Sequence, residues 1–231
     1  MDKLLWFNPN IQFMFRKNIV EYDMQSASLA VSERLHLINP ERLIQLKNMP
    51  KEQRTKVVGL MQRDDQSFSD RMIQGIIDTR EEFLKINHLD ESNILCLHSD
   101  AIIFNMTAPI IDSIDCVKFI NKQSWTSYIR YDKIEIYYND GCIDYKGIPK
   151  EMLKMHTLGI NRHLLKIFQM VELCDESVIS YLSKFQMRYI QDKLPDYYYI
   201  PFGKRSGDYK MENLSLFAFL ANVVKEDSRD W

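Results

Sequence analysis

The chain has 231 residues, of which 45% are hydrophobic and 27% charged, and its formal net charge is −2. These values are typical of a soluble globular protein with one large domain or two small ones. A net charge this close to zero excludes a global positive field for nucleic acid, so any such binding needs a local basic patch. The four cysteines are widely spaced and form no CxxC pair, which argues against a zinc or redox motif and favours reduced thiols in a cytosolic protein.

Neither a signal peptide nor a membrane span is expected. The N-terminus carries Asp2 and Lys3 and has no long apolar core. The longest apolar stretch, 214–224, is shorter than the roughly 20 residues that span a bilayer. We therefore expect a buried helix there, and no membrane partner.

Two stretches in the first half of the chain place an acid directly beside a buried strand. Residues 18–24 (NIVEYDM) predict a strand that ends near Asp23, and a helix follows over 26–38. Residues 94–105 (ILCLHSDAIIFN) predict a hairpin that presents Asp100 at its tip. If the two strands are neighbours, both carboxylates lie at one edge of a sheet, where they repel each other unless a cation lies between them. Oxygen ligands favour Mg²⁺ or Mn²⁺ in such a place.

Helices are expected between these two stretches. The sequence predicts a short helix over 40–47 and a basic helix from Pro50 towards Arg63. A long amphipathic helix is expected over 67–86, because apolar residues recur there at helical spacing.

Aromatic and β-branched residues dominate the segment after the hairpin. Residues 109–119 are expected to form a short helix or connector, and Asn139-Asp140-Gly141 is a turn signal between strands. From Lys150 the pattern becomes helical almost to the end. The strands expected before that point are 125–131, 134–138 and 142–145.

The order strand, acid, helix, basic helix and strand–acid–strand hairpin is found in template-directed polymerases. YDMQSASLAV, residues 22–31, resembles polymerase motif A, and LHSDAIIF, residues 97–104, resembles motif C. SYIRYDKIEIYYNDGCIDYKGIP, residues 127–149, is similar to the segment that follows motif C in family B DNA polymerases. The resemblance covers residues 18–150.

This resemblance implies an α+β fold. A polymerase-like palm, an antiparallel sheet with helices on one face, would comprise residues 1–150, with a very short fingers insertion at about 32–66. A mainly helical thumb-like region would follow at 151–231.

The resemblance also implies a nucleotidyltransferase that extends a primer 3′ end with nucleoside triphosphates by a two-metal mechanism. Mg²⁺ or Mn²⁺ would be held by the carboxylates of Asp23 and Asp100 and by the backbone carbonyl of Met24. Basic side chains would bind the triphosphate; the candidates are Lys51, Arg54, Lys56 and Arg63. Contacts to primer-template nucleic acid would come from Tyr128, Arg130, Lys146, Lys150, Lys154 and Arg162.

The chain departs from the family pattern at several points. His98 stands in place of the first acid of motif C, and VVGLMQRDD lacks the Asn, Ser, Tyr and Gly pattern of motif B. Ser28 and Leu29 stand where an aromatic residue usually follows motif A. Only about twenty residues precede motif A, so no exonuclease region is expected before it. These departures favour a polymerase stripped to its core, or a split enzyme with a second subunit or replication protein as partner. The expected source is a virus or a mobile element, and a viral enzyme would act in the host cytoplasm.

A local excess of positive charge lies in the second half. Residues 146–210 contain eleven basic and seven acidic residues in a chain of net charge −2, with His156 and His163 among the basic positions. Such an excess suits a thumb that grips phosphates, although a solvated helical surface has the same composition.

Other interpretations stay open at this point. Asp23 could cap the following helix, Asp100 could be an ordinary turn residue, and the basic helix could be a solvated face. His98 is expected to be packed or hydrogen-bonded rather than a metal ligand. Tyr197–Tyr199 are expected to pack on the C-terminal helices, with the stacking of bases as the alternative. The alternative function is a non-catalytic palm-fold protein that binds nucleic acid or a replication or transcription partner, and an unrelated α+β domain is a third possibility. The presence of both acids favours the enzyme.

Overall fold

The computed structural model describes residues 4–148, 158–200, 202 and 209–231. The protein has the α+β fold that the sequence predicts, with two β-sheets and helices of eight residues or more. Its strands and α-helices are β1 (Leu5–Phe7), β2 (Phe13–Met14), β3 (Ile19–Met24), α1 (Ala27–Arg34), α2 (Pro40–Lys47), α3 (Lys51–Asp64), α4 (Gln66–Ile86), β4 (Ile94–His98), β5 (Ala101–Asn105), β6 (Ser113–Ile114), β7 (Val117–Trp125), β8 (Ser127–Tyr131), β9 (Ile134–Asn139), β10 (Cys142–Lys146), α5 (Leu158–Glu172), α6 (Ser177–Ile190) and α7 (Tyr209–Asp227).

The contacts within the chain define two units. Met1–Pro9 and Ile19–Ser124 contribute to the first, and Asn10–Asn18 and Trp125–Trp231 to the second. Strands β8 and β9 belong to the second unit because their apolar side chains join the buried cluster of helices α5 to α7. The palm-like domain over 1–150 and the thumb-like region over 151–231 stay a prediction about function.

The first unit is a six-stranded sheet in the order β1-β4-β5-β3-β7-β6, with helix α4 on one face. Side chains alternate along a strand. In β3, Val20 and Met24 therefore enter the same buried cluster as Phe83 of α4. Glu21 and Asp23 project from the opposite face.

The predicted hairpin and its neighbour are confirmed. Strands β4 and β5 pair antiparallel with His98 opposite Ala101, which leaves Ser99-Asp100 as the two-residue turn. Strand β3 pairs antiparallel with β5 and places Asp23 opposite Ala101. Asp23 and Asp100 therefore lie at the same end of the neighbouring strands β3 and β5, at one edge of the sheet.

The segment after the hairpin differs from the expectation of a short helix or connector over 109–119. Residues 117–119 begin the long strand β7, and Trp125 ends it instead of starting the next strand. Val117 and Phe119 are buried while Lys118 is exposed, a period of two. Phe119 packs against Phe83 with ring centroids 4.1 Å apart, so tertiary packing selects the strand.

The second unit pairs a four-stranded sheet, in the order β10-β9-β8-β2, with helices α5 to α7. The predicted turn is confirmed, because Asp140 and Gly141 join β9 to β10 with φ angles of 44° and 79°.

His163 is buried and stacks on Phe185, with ring centroids 3.6 Å apart. Burial lowers its pKa to about 3, so His163 adds no charge to a basic surface, and His156 lies outside the described residues.

Within the described ranges, none of the helices combines the length and the apolar composition needed to cross a bilayer.

Gly75 of α4 tests the packing of α4 on α1. A Cβ at this position would lie 2.6 Å from Cγ1 of the buried Val31 and would also meet the side chain of Leu35. We expect Gly75→Ala to lower the free energy of unfolding by about 1–3 kcal/mol, because overpacking outweighs the gain in helix propensity. The measurement is urea unfolding followed by circular dichroism.

Gly59 of α3 is the matched control, since a Cβ there would meet nothing within 4 Å. Gly59→Ala should leave the free energy of unfolding unchanged or raise it by up to about 1 kcal/mol. Equal effects of the two substitutions would contradict the close approach of α1 and α4.

Candidate active site

The two predicted acids lie on neighbouring strands. Asp23 is the fifth residue of the six-residue strand β3, and Asp100 directly precedes its cross-strand partner Ala101. The backbone N–H of Met24 donates a hydrogen bond to the Asp100 carbonyl over 3.2 Å. The sheet itself therefore fixes one acid beside the other.

The turn that carries Asp100 is held from two further sides. The Ser99 backbone N–H donates to the Leu4 carbonyl over 2.5 Å, and Nη1 of Arg80 donates to the Ser99 carbonyl over 2.8 Å. Arg80 is fully buried in α4, and burial lowers its pKa. Sequence reasoning missed Arg80, although its position between Ile76 and Phe83 on the apolar stripe of α4 was a signal.

The electrostatics of the pair are dominated by burial and by negative charge. Desolvation raises the pKa of Asp100, and the neighbouring charge of Asp23 raises it further. Glu21 adds to the increase, while Lys122 partly offsets it. The site therefore favours an additional cation when Asp100 is ionised.

Lys122 of β7 is a member of the site that sequence reasoning missed. Its Nζ lies 3.0 Å from Oδ2 of Asp23 and 3.9 Å from Oε1 of Glu21. The hydrogen bond to Asp23 raises the pKa of Lys122. Glu21 could have been predicted as a member of the site, because it lies two residues before Asp23 on the same face of a strand. Lys122 could not, because it follows a segment that was expected to be a short helix or connector.

Asp23 does not act as the cap of the following helix. The N-cap residue of α1 is Ser26, which makes no capping hydrogen bond through its side chain. The carboxylate of Asp23 instead accepts the hydrogen bond from Lys122.

A cleft of about 280 Å³ opens beside Asp100, between the start of α1 and helix α3. Lys51 and Arg54 of α3 line it together with Asp100, and Nη2 of Arg54 donates to Oγ of Ser26 over 3.2 Å. Two of the four predicted triphosphate-binding residues are thus brought to the same cleft as an acid of the pair. Thr55, Gly59 and Gln62 also line it and were not predicted.

The other two basic residues of α3 lie outside the described lining of this cleft. The lining residues recur along α3 at intervals of three and four, which is one stripe of a helix. Lys56 and Arg63 are off that stripe and exposed, and Nε of Arg63 pairs with Asp64 at 3.0 Å. Their positions match the interpretation of a solvated helix face better than a role at the cleft.

The residues of the pair fit a hard divalent cation. Asp23 and Asp100 supply carboxylate oxygens, and the backbone carbonyl of Met24 is an oxygen donor next in the chain. Burial raises the pKa of Asp100 most, and the charge of the neighbouring Asp23 raises it further. These groups would hold Mg²⁺ or Mn²⁺.

The predicted nucleic-acid contacts in the strands are less accessible than expected. Tyr128 is fully buried and packs against Tyr137 with ring centroids 5.1 Å apart, so its ring offers no free face for a base. Arg130 is partly buried, and Nζ of Lys146 lies 5.7 Å from the ring centroid of Trp125. Strand β8 is buried on both faces at Tyr128 and Ile129, and Tyr137 is the cross-strand partner of Tyr128.

On the helical side, Arg162 of α5 is exposed, as a phosphate contact requires. Its guanidinium lies 5.1 Å from the ring centroid of Tyr197. Lys150 and Lys154 lie outside the described residues.

The packing interpretations of two other motifs are confirmed. His98 makes an edge-to-face contact with Phe7 at 5.6 Å. Tyr199 stacks on Tyr189 at 4.7 Å, and Tyr198 meets Phe185 edge-to-face at 5.2 Å.

The pKa of Asp100, followed by ¹³C NMR of its carboxyl carbon, tests the coupling of the pair. Asp23→Asn should lower this pKa but leave it above the ordinary value, because desolvation remains. Lys122→Met should raise it, because a positive charge is lost.

Asp132→Asn is the control, since this exposed turn residue has a φ of 57° that asparagine tolerates. It should leave the pKa of Asp100 unchanged. An equally small effect of Asp23→Asn would show that the two carboxylates are independent.

A family model described as bacteriophage PBS1 gene 130 protein matches residues 1–230. None of the curated proteins matches the chain. The family description names a phage protein and no activity, so the resemblance to family B DNA polymerases stays a prediction. Because the match covers nearly the whole chain, this protein belongs to the bacteriophage PBS1 gene 130 protein family.

Proposed function

We propose that the protein is a phage nucleotidyltransferase that extends a primer 3′ end with nucleoside triphosphates. One observation carries this proposal: Asp23 and Asp100 converge on one sheet edge, and Asp100 also lines a cleft with the basic side chains of Lys51 and Arg54. Acids beside a phosphate-sized cationic cleft are what phosphoryl transfer requires.

The acids, the basic side chains and Arg80 have different roles in the proposed reaction. Asp23 and Asp100 would hold the divalent cations, which would supply the positive charge that activates the primer hydroxyl and neutralises the leaving group. The primer 3′ hydroxyl loses its proton to solvent and its oxygen attacks the α-phosphate. The new phosphodiester bond forms as the bond between the α-phosphorus and the bridging oxygen breaks, and pyrophosphate leaves with that electron pair. Lys51 and Arg54 bind the β- and γ-phosphates, and Arg80 keeps the turn of Asp100 in place through the Ser99 carbonyl.

The partners follow from the same chemistry. They are a primer-template, nucleoside triphosphates and a second polymerase subunit or replication protein that supplies what the motif B region lacks. The resemblance of residues 22–31 and 97–104 to motifs A and C supports a family B-like palm. The proposed setting is the cytoplasm of the phage's host cell.

Primer extension with the purified chain tests this function. The assay contains a labelled primer-template, Mg²⁺ or Mn²⁺, and either all dNTPs or all NTPs. We expect extension by the unchanged protein and a loss on the order of 10³-fold in Asp23→Asn and Asp100→Asn, because each removes a metal-binding charge. The preferred triphosphate then distinguishes DNA from RNA synthesis.

Matched variants separate the site from general effects of charge. Asp140→Asn changes an exposed turn residue and should keep full activity. Lys51→Gln should raise the KM for the triphosphate about tenfold, whereas Lys56→Gln on the same helix should not. Extension that survives in both Asp23→Asn and Asp100→Asn would refute the two-metal site.

The ion pair between Lys122 and Asp23 favours the second candidate function, a non-catalytic palm-fold protein. In that case the protein's own lysine, and not a metal, compensates the acid. Correctly folded protein that binds primer-template but extends nothing, alone or with host extract, would support this candidate.

A further inference from the structure

Lys122 lies beside one carboxylate oxygen of Asp23, a residue that would bind the metal ion in the proposed function. Its Nζ is 3.0 Å from Oδ2 of Asp23, which is a charge-assisted hydrogen bond. A carboxylate oxygen that accepts this hydrogen bond is a weaker metal ligand, because the ammonium and the cation repel each other.

Glu21 offers Lys122 a second acceptor on the same face of the sheet. Oε1 of Glu21 lies 3.9 Å from Nζ, so a shift of about 1 Å completes a hydrogen bond there. The side chain of Lys122 is 53% exposed, so few neighbouring atoms restrict its movement, whereas that of Glu21 is only 5% exposed. Lys122 can therefore leave Asp23 without losing a carboxylate partner.

We propose that Lys122 is a built-in counter-ion that competes with the divalent cation for Asp23 and moves to Glu21 when the cation binds. This inference rests on the proposed function, because it assumes that Asp23 and Asp100 bind a divalent cation. It adds two residues that the motif resemblance does not include.

This exchange has a direct consequence for the metal-free protein. The charges of Asp23 and Glu21 both act on Asp100, and Lys122 partly offsets this negative charge before the cation arrives. A monovalent cation brings no more charge than the ammonium that it displaces, whereas a divalent cation does. Lys122 therefore lowers the metal affinity of the site and raises its preference for divalent ions.

The experiment measures Mn²⁺ binding by electron paramagnetic resonance in the absence of nucleic acid and nucleotide. The variants are Lys122→Met, Lys118→Met and Asp23→Asn. Lys118 is the matched control, because it lies on the same strand and face, and the described residues show no ion pair between it and these acids. We expect Lys122→Met to bind Mn²⁺ about fivefold more tightly than the unchanged protein, and Lys118→Met to differ by less than about twofold.

A double-mutant cycle tests the role of Glu21. Glu21→Gln should weaken Mn²⁺ binding more when Lys122 is present than in the Lys122→Met background, because Lys122 then has no second acceptor. Additive effects of the two substitutions would overturn the transfer to Glu21.

The outcomes separate this inference from the proposed function. Equal Mn²⁺ affinity of Lys122→Met and Lys118→Met, or weaker binding by Lys122→Met, would overturn the inference while leaving the metal site in place. Absence of Mn²⁺ binding in every variant, including Lys122→Met, would overturn the metal site and this inference with it. Binding that appears only in Lys122→Met would support both.

Discussion

Repulsion between two carboxylates held at one edge of a sheet is the constraint on which the site depends. The β3–β5 pairing fixes Asp23 beside the turn of Asp100, and the buried Arg80 fixes the carbonyl of that turn. The backbone atoms of the two acids are therefore held side by side. Lys122 compensates the negative charge of Asp23 in the metal-free protein, and a divalent cation would compensate that of both acids in the proposed function.

The cleft places basic side chains beside one of these two acids. Asp100 faces the sheet edge and the cleft at once, and the stripe of α3 that carries Lys51 and Arg54 forms the other wall. One acid of the pair and two basic side chains thus line the same cleft in the first unit, as the proposed function requires. Of the predicted contacts to nucleic acid, Tyr128 is buried and cannot stack on a base, whereas Arg162 is exposed.

Local sequence signals predicted much of the first unit. The apolar runs on either side of Ser99-Asp100 specified the hairpin, and Asn39-Pro40 specified the start of α2, where the Asn39 side chain accepts the Arg42 N–H. The signals that failed are long-range. Strand β7 owes its conformation to packing against α4, and Lys122 reaches Asp23 across 99 residues of sequence. No local pattern contains that contact.

The most direct measurement of the central claim is anomalous diffraction from crystals soaked in Mn²⁺. We predict an anomalous peak for a Mn²⁺ ion that contacts carboxylate oxygens of both Asp23 and Asp100, at the roughly 2.0–2.2 Å typical of small hard cations. The side chain of Lys122 should then have moved from Asp23 to Glu21. A map without a peak at this edge, in which Lys122 remains on Asp23, would contradict the metal site and favour a non-catalytic protein.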